Sequence, residues 1–367
     1  MNPRTSLWVI LMMLTFPAVA QQRDVQSNMS LLDWFAQWRT RTLVSGMDSG
    51  YIDIPKLPWL VSLNFDLRRD HFGLIIPNAL NIGTGKAHFY SNFYGKPTVG
   101  AYYRGWGLAL GRGLSSRPET HFTFTSYGQK IGFDFNYEQV GYMKCDFSIS
   151  DIERRELLLR EQLIVDREDA AFVMVNVNAY YVFNSRRFSY GSALSQASMQ
   201  QQSAGSFLAG ASYFQTTMDF GGSTLAQYLM ADRAELTTRQ IALAFGHGYN
   251  FVPESDKRFL LHGSLLAGML IPVYNSVHFT PMNQNSSNWD ESARQYFIAR
   301  RMDLENYSTD YRISVVILFR GAAYWNISPR LVTGITWLVT AYPALRRAVV
   351  DTYGVSWGIF PYFGYRF

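Results

Sequence analysis

Among the residues able to do chemistry, His262-Gly263-Ser264 has the most useful spacing. On a strand, positions i and i+2 share a face, so the imidazole can take the hydroxyl proton and leave a nucleophilic oxygen. That is the start of acyl-transfer chemistry, and it needs a third polar group to orient the ring. Antiparallel pairing across Val252 to Lys257 would place His262 near Gly246, with His247 diagonal to it, and neither carboxylate nor amide stands there. Metal chemistry has less support. The six His (71, 88, 121, 247, 262, 278) are scattered without ligand spacing, and the lone Cys145 excludes an internal disulfide framework or a multi-Cys site. Gly83-Thr84-Gly85-Lys86 lacks the full spacing of a phosphate loop. No cofactor and no metal are expected.

Other polar side chains recur inside otherwise apolar alternation. Asp134, Asn136 and Glu138 share one face of a strand, Asn176 and Asn178 another, and Arg239 stands further on. Such positions suit a wet interior that binds or passes a small solute, or a structural salt-bridge network. Arg186 and Arg187 lie near a strand end, where they could line the interior, join an interfacial girdle or meet lipopolysaccharide phosphate. Gln200 to Ser203 reads as a polar turn on the periplasmic rim, a contact point for a partner. The net charge of +5 is scattered, and no basic block points to nucleic acid.

Strands must position these groups. Val61, Leu63, Phe65 and Leu67 alternate with Ser62, Asn64, Asp66 and Arg68, the pattern of a sheet with one apolar and one wet face. The same reading gives strands over 60–69, 80–90, 98–103, 106–114, 130–143, 170–183, 187–194, 204–216, 237–249, 258–274, 310–322, 327–342 and 353–367. An additional strand over Leu157 to Val165 would make the count even, but it would also move the Arg104-Gly105 turn to the outer side. Single-chain barrels hold even numbers of strands, so about 12–14 are expected. The last strand is the clearest. Tyr353, Val355, Trp357, Ile359, Pro361, Phe363, Tyr365 and Phe367 are apolar or aromatic, while the alternate positions carry four smaller residues, Phe360, Tyr362 and Arg366. It would close the barrel against the strand near Leu60–Arg69. The surplus of aromatics, 16% of the chain, suits two membrane interfaces.

Residues 1–20 read as a secretory signal peptide: Arg4, an apolar run from Leu7 to Phe16, then Ala18-Val19-Ala20. Residues 21–56 form a periplasmic segment with one amphipathic helix between Val25 and Gly46, where Ser30 and Asp33 make a capping box and Leu31, Phe35 and Trp38 an apolar stripe. Residues 57–367 are the barrel.

Several blocks are similar to a known family: Asp48-Ser49-Gly50-Tyr51-Ile52, Tyr102 to Leu108, Lys130 to Phe135, Phe183-Asn184-Ser185-Arg186-Arg187-Phe188-Ser189-Tyr190 and Gln200 to Phe207. The chain resembles, over Asp48 to Phe367, uncharacterised outer-membrane β-barrel proteins of the Bacteroidetes, a domain of unknown function. The resemblance implies fold and location but no activity.

The reading is therefore an all-β transmembrane antiparallel barrel of the outer membrane, preceded by a short periplasmic helix. The first expectation is a non-enzymatic channel or binder for a small solute. Alternatives are a structural or assembly protein of the envelope, and a lipid acyl hydrolase using His262 and Ser264. Expected partners are outer-membrane lipids, lipopolysaccharide and the barrel-assembly machinery, the last recognising Phe363, Tyr365 and Phe367.

Overall fold

The computed structural model describes residues 37–38, 40–41, 43–44, 46–79, 83–91, 94–114, 119–140, 142–151, 157–166, 171–219, 231–281, 314–342 and 351–367. The signal peptide lies outside them, as does most of the expected N-terminal helix; Gln37, Trp38, Thr40, Arg41, Leu43 and Val44 are helical.

The strands are β1 (Ile52–Asp53), β2 (Trp59–Ala79), β3 (Gly83–Ser91), β4 (Tyr94–Tyr103), β5 (Trp106–Arg112), β6 (Thr120–Tyr127), β7 (Ile131–Val140), β8 (Tyr142–Asp151), β9 (Leu157–Asp166), β10 (Ala171–Val182), β11 (Met199–Gln200), β12 (Ala204–Asp219), β13 (Ala231–Phe251), β14 (Phe259–Pro281), β15 (Ser314–Asn326), β16 (Leu331–Tyr342) and β17 (Asp351–Arg366). One short helix, α1 (Tyr190–Leu194), interrupts them. Strands β2, β4 to β7, β10 and β12 to β17 pair in turn, and β17 returns to β2 from Arg366↔Leu60 to Asp351↔Ile75. The result is a closed antiparallel barrel of 12 strands. Closure leaves no open sheet edge in this ring, which a sheet facing lipid requires.

The expected closing strand pairs as predicted. Trp59 and Phe367 exchange backbone hydrogen bonds at 3.2 and 3.0 Å, so the first and last rungs meet at one rim. The β5–β6 hairpin is short. Above it β3 and β8 pair directly, from Gly83↔Asp151 to Ser91↔Met143, with β9 added outside β8. Thus β3 and β4 are two lengths of one wall, as are β7 and β8.

Alternation sorts the two faces as the sequence implied. Val61, Leu63, Phe65, Val99, Leu110 and Leu265 point out and are exposed, whereas Ser62, Asp66, Thr98 and Asp134 point in and are buried. An apolar exterior over a polar interior inverts a soluble protein and fits a barrel whose solvent is lipid. At the rim that holds the chain ends, Trp59 packs on Tyr103 at 4.7 Å and on Phe367 at 6.4 Å, the start of an aromatic girdle.

Two strand expectations fail. Residues 187–194 do not form a wall strand. The alternation of Arg187, Phe188, Ser189 and Tyr190 looked β-like, yet the following Gly191-Ser192-Ala193 run is small enough to be enclosed on every side, and all three residues are buried. Ser189 caps the helix, its Oγ accepting the Ser192 amide at 3.1 Å. Conversely β6 and β8 were missed: the Thr120-His121-Phe122-Thr123 start of β6 mixes polar residues into both faces, and most of β8 falls in the stretch after Met143 read as a link. The expected extra strand over Leu157 to Val165 exists as β9, but it extends the wall and adds nothing to the ring.

Candidate functional site

The turn between β10 and β12 does not hang outside the barrel. Residues 184–203 fold into its lumen and plug the rim where the chain ends meet. Phe188 and Tyr190 pack with Tyr127, Tyr180, Val182 and Leu208, while Ala193 joins Leu60, Val252, Leu260, Ala322 and Tyr324. Gly248 makes room for this packing, because a Cβ there would stand 3.1 Å from the tip of the Phe188 ring.

Polar groups then pin the plug. Gln200, read from the sequence as a rim residue, is buried: its Oε1 accepts from the Ser189 amide and from Asn250 Nδ2, both at 3.0 Å, and its Nε2 donates to Arg187 O at 2.6 Å. Arg366 of β17 donates to Gln196 Oε1 at 3.0 Å and to Asn326 Oδ1 at 2.9 Å. Gln129 donates to Ser185 O at 2.5 Å. β11 adds a two-residue ladder to β1, Ile52↔Gln200 and Asp53↔Met199, tying the plug to the chain ahead of the barrel.

His262 and Ser264 belong to this plug contact. Their pairing is real, with Nε2 3.2 Å from Ser264 Oγ. The expected register is corrected: His262 lies opposite Asn250, not Gly246. Asp256 accepts the Arg258 amide at 3.1 Å, and the register centres the turn on Asp256. Asn250 is the orienting group that the sequence reading did not find. Its Nδ2 donates to Ser189 O at 2.8 Å, so its Oδ1 is free to accept from His262 Nδ1 at 2.7 Å. That hydrogen-bond pattern assigns the tautomer in which Nε2 accepts from Ser264. The arrangement has the polarity of an Asn-His-Ser relay, but it faces the lumen and is fully buried. Ser264 Oγ is covered by Tyr190 Oη at 3.1 Å. With Tyr190 over it the serine is enclosed, and the relay ties β13 and β14 to the plug.

Above the plug lies a cup of about 220 Å³, floored by Leu194, Ser195 and Gln196. Its walls differ. Strands β15 to β17 contribute Leu318, Tyr324, Leu338, Phe360 and Tyr362, whereas β2 to β10 contribute charges and amides. Asp134, Asn136, Glu138, Asn176 and Asn178 all line it, where the alternation placed them. Arg320 Nη1 reaches Asp134 at 2.9 Å from β15, across the lumen, with four ring strands intervening on one side and six on the other. Arg68 meets Asp70 at 2.9 Å and Glu138 at 2.5 Å; Lys96 meets Glu119 at 3.1 Å and also Glu138. His121 Nδ1 is 3.0 Å from Asp66, and Asn178 and Asn136 donate to Asp134 at 2.7 and 2.9 Å. The braces span the interior and fix its shape. Two lining hydroxyls, Thr125 Oγ1 and Tyr362 Oη, are shielded from solvent and have no hydrogen-bond partner.

Arg239 is not in the cup. It shares a face with exposed Ile241 and Leu243, and its guanidinium lies 4.9 Å from the Tyr274 ring on the outside of the barrel. Arg187 sits over the Tyr51 ring at 5.0 Å beside the plug. Phe363, Tyr365 and Phe367 are exposed on the outer face of the closing strand. Among the described residues no group of three or more His, Cys, Asp or Glu side chains is arranged to hold a metal. Arg320 carried a signal that went unread: a lone cation at an inward position of the run Val315 to Tyr324.

A search of curated sequences returns no match. Among solved structures, the chain is similar to the outer membrane protease OmpT from Escherichia coli (6% identity, 85% of this chain and 97% of that one, TM-score 0.44). It is also similar to the β domain of the Bordetella autotransporter BrkA (8%, 85% and 100%, 0.33) and to the Pseudomonas putida toluene transporter TodX (7%, 84% and 90%, 0.25). With TM-scores this low, the fold rests on the closed strand ladder itself. The family comparison reaches further. Its model begins at Arg112, at the end of β5, and therefore leaves out the upstream blocks from Asp48 and from Tyr102, but it takes in the plug, Asp134, Glu138, Asn250, His262 and the closing strand. Over residues 112–367 this chain belongs to the family described as Domain of unknown function (DUF4421).

Proposed function

We propose that this protein is exported by its signal peptide to the outer membrane of a Gram-negative bacterium of the Bacteroidetes and acts there without enzymatic chemistry, binding a small polar solute in a cup closed on the periplasmic side. The observation that carries the reading is the plug of residues 184–203 beneath the cup. A lumen floored in this way is a receptacle, not an open pore. At ~30 Å³ per water, the cup has room for about seven waters or a solute of similar size. The contrast between an aromatic wall and an amide-rich wall gives such a solute an orientation.

Conductance across planar bilayers tests this. The intact barrel is expected to give no steady single-channel steps, and replacing residues 185–204 by a two-residue turn is expected to create them. Steps from the intact protein would overturn the closed reading. A shortened barrel that still folds, seen as a heat-modifiable gel shift, yet stays silent would mean the braces alone close the lumen and would favour the structural role.

A further inference from the structure

The outer face of the wall above the apolar belt carries a cluster of cations that neither the cup nor the plug uses. On β2, Arg69 and His71 follow the outward series Val61, Leu63, Phe65, Leu67. The register continues the same face across two further strands: His71 lies opposite Tyr90, which lies opposite Lys144; one rung higher Gly73 lies opposite His88, and above that Ile75 lies opposite Lys86. The rings are packed together, His71 on His88 at 5.4 Å and His88 on Tyr90 at 5.8 Å, with Arg69 over Tyr90 at 5.7 Å. From the neighbouring strand Tyr353 crosses over Gly73 to stack on His88 at 6.2 Å. A side chain at Gly73 would occupy the place of that ring. Register also puts acids on this face, with Asp351 opposite Ile75 and Asp166 opposite Tyr142 at its margins. Asp146, opposite His88, accepts from Gln162 Nε2 at 3.1 Å, and the same nitrogen donates to Tyr90 Oη at 2.7 Å. Arg69 Nε is shielded from solvent and lacks an acceptor.

Height decides what this cluster meets. Arg69 is ten residues above Trp59 on β2, about 25 Å up the wall at ~3.3 Å per residue and a strand tilt near 40°. That equals the usual height of an apolar band, about 25 Å. Arg239 with Tyr274 marks a similar level on β13, 12 residues above Phe251. The cations thus stand where an outward-facing wall leaves hydrocarbon and meets headgroups. Tyr90 and Tyr353 are the amphipathic rings expected at such a boundary.

We infer that Arg69, His71, Lys86, His88 and Lys144 form a site for the phosphate groups of an anionic lipid in the outer leaflet, such as a phosphorylated glycolipid. The inference rests on the proposed membrane placement and not on the cup. A lipid is favoured over free phosphate because the cluster abuts the apolar belt, so acyl chains and phosphate can be held at once. Each cation near the surface contributes a factor of about five.

Native mass spectrometry of the full-length protein in detergent, titrated with diphosphorylated lipid A and with its dephosphorylated form, tests the site. The wild type is expected to prefer the phosphorylated lipid by roughly a hundredfold. The triple variant Arg69→Gln, Lys86→Gln, Lys144→Gln is expected to lose most of that preference, while Arg239→Gln keeps it. Should the triple variant fail to fold, Lys86→Gln alone, at an exposed side chain, is expected to lose about fivefold. A folded variant with undiminished preference would overturn the site. Displacement of the lipid by millimolar inorganic phosphate would overturn the choice of a lipid as occupant. A separate flotation assay with phosphatidylcholine vesicles reports on membrane placement: a wild-type protein that does not float would remove that placement, whereas one that floats but shows no preference removes only this site.

Discussion

Asn250 shows how much one residue can settle. It connects the wall to the plug through Ser189 and Gln200, and it fixes the ring of His262. Replacing it with Ala leaves a buried imidazole N–H and two plug acceptors short of a partner. At ~1–3 kcal/mol for an unmet buried group, Asn250→Ala is expected to cost about 3 kcal/mol, read as a shift in urea unfolding of the detergent-solubilised barrel. The cross-lumen pair behaves differently. Arg320→Met strands Asp134 as a buried carboxylate with only amides for company, and the loss is expected to reach about 3–5 kcal/mol. In Arg320→Met combined with Asp134→Leu most of that loss should return, because apolar pairs can replace buried ion pairs; a double variant as weak as the single one would show that the pair was not what mattered. At this scale the sequence is readable where period two decides which face a side chain takes, as for Asp134, Asn136, Glu138, Asn176 and Asn178, which line the cup. It was unreadable where register decides. The distance from His262 to Asn250 depends on where a turn is centred, and the register centres it on Asp256.

Among the elements, β17 and the plug mark opposite limits of legibility. β17 is long, alternates cleanly and ends in aromatics, so propensity, pattern and position agree. Its Phe367 exchanges two backbone hydrogen bonds with Trp59 and stacks on its ring. Deleting Phe367 is expected to lower the yield of inserted, heat-modifiable barrel several-fold in cells, scored against total protein; unchanged insertion would contradict its role as an assembly signal. The plug is the reverse. Its alternation over Arg187 to Tyr190 matches a strand, but its small residues, Gly191, Ser192 and Ala193, are selected for being surrounded. Pattern rules take each segment as having one buried face, and a segment enclosed by a barrel has none exposed. The β5–β6 hairpin is half-legible for a related reason: the start of β6 carries polar residues on both faces, so alternation does not mark it.

For the molecule as a whole, an apolar exterior, a braced polar interior and an internal stopper belong to one object, a closed barrel whose lumen is filled at one rim. The fold class followed from period-two alternation and the terminal strand, whereas the closure of the lumen came only from three-dimensional contacts among Gln200, Asn250, Arg366 and Gln196. The seam between β2 and β17 has a consequence in time. Most ring strands pair with neighbours that lie near them along the chain, but β2 and β17 meet across about 290 residues at their mid-seam rungs, as Ser356 does with Asp70. Until the chain beyond Asp351 is made the sheet has two open edges, and no rung of the seam can form. The ring therefore closes late, and any chain cut short ahead of Asp351 is left as an unclosed sheet exposed to aggregation.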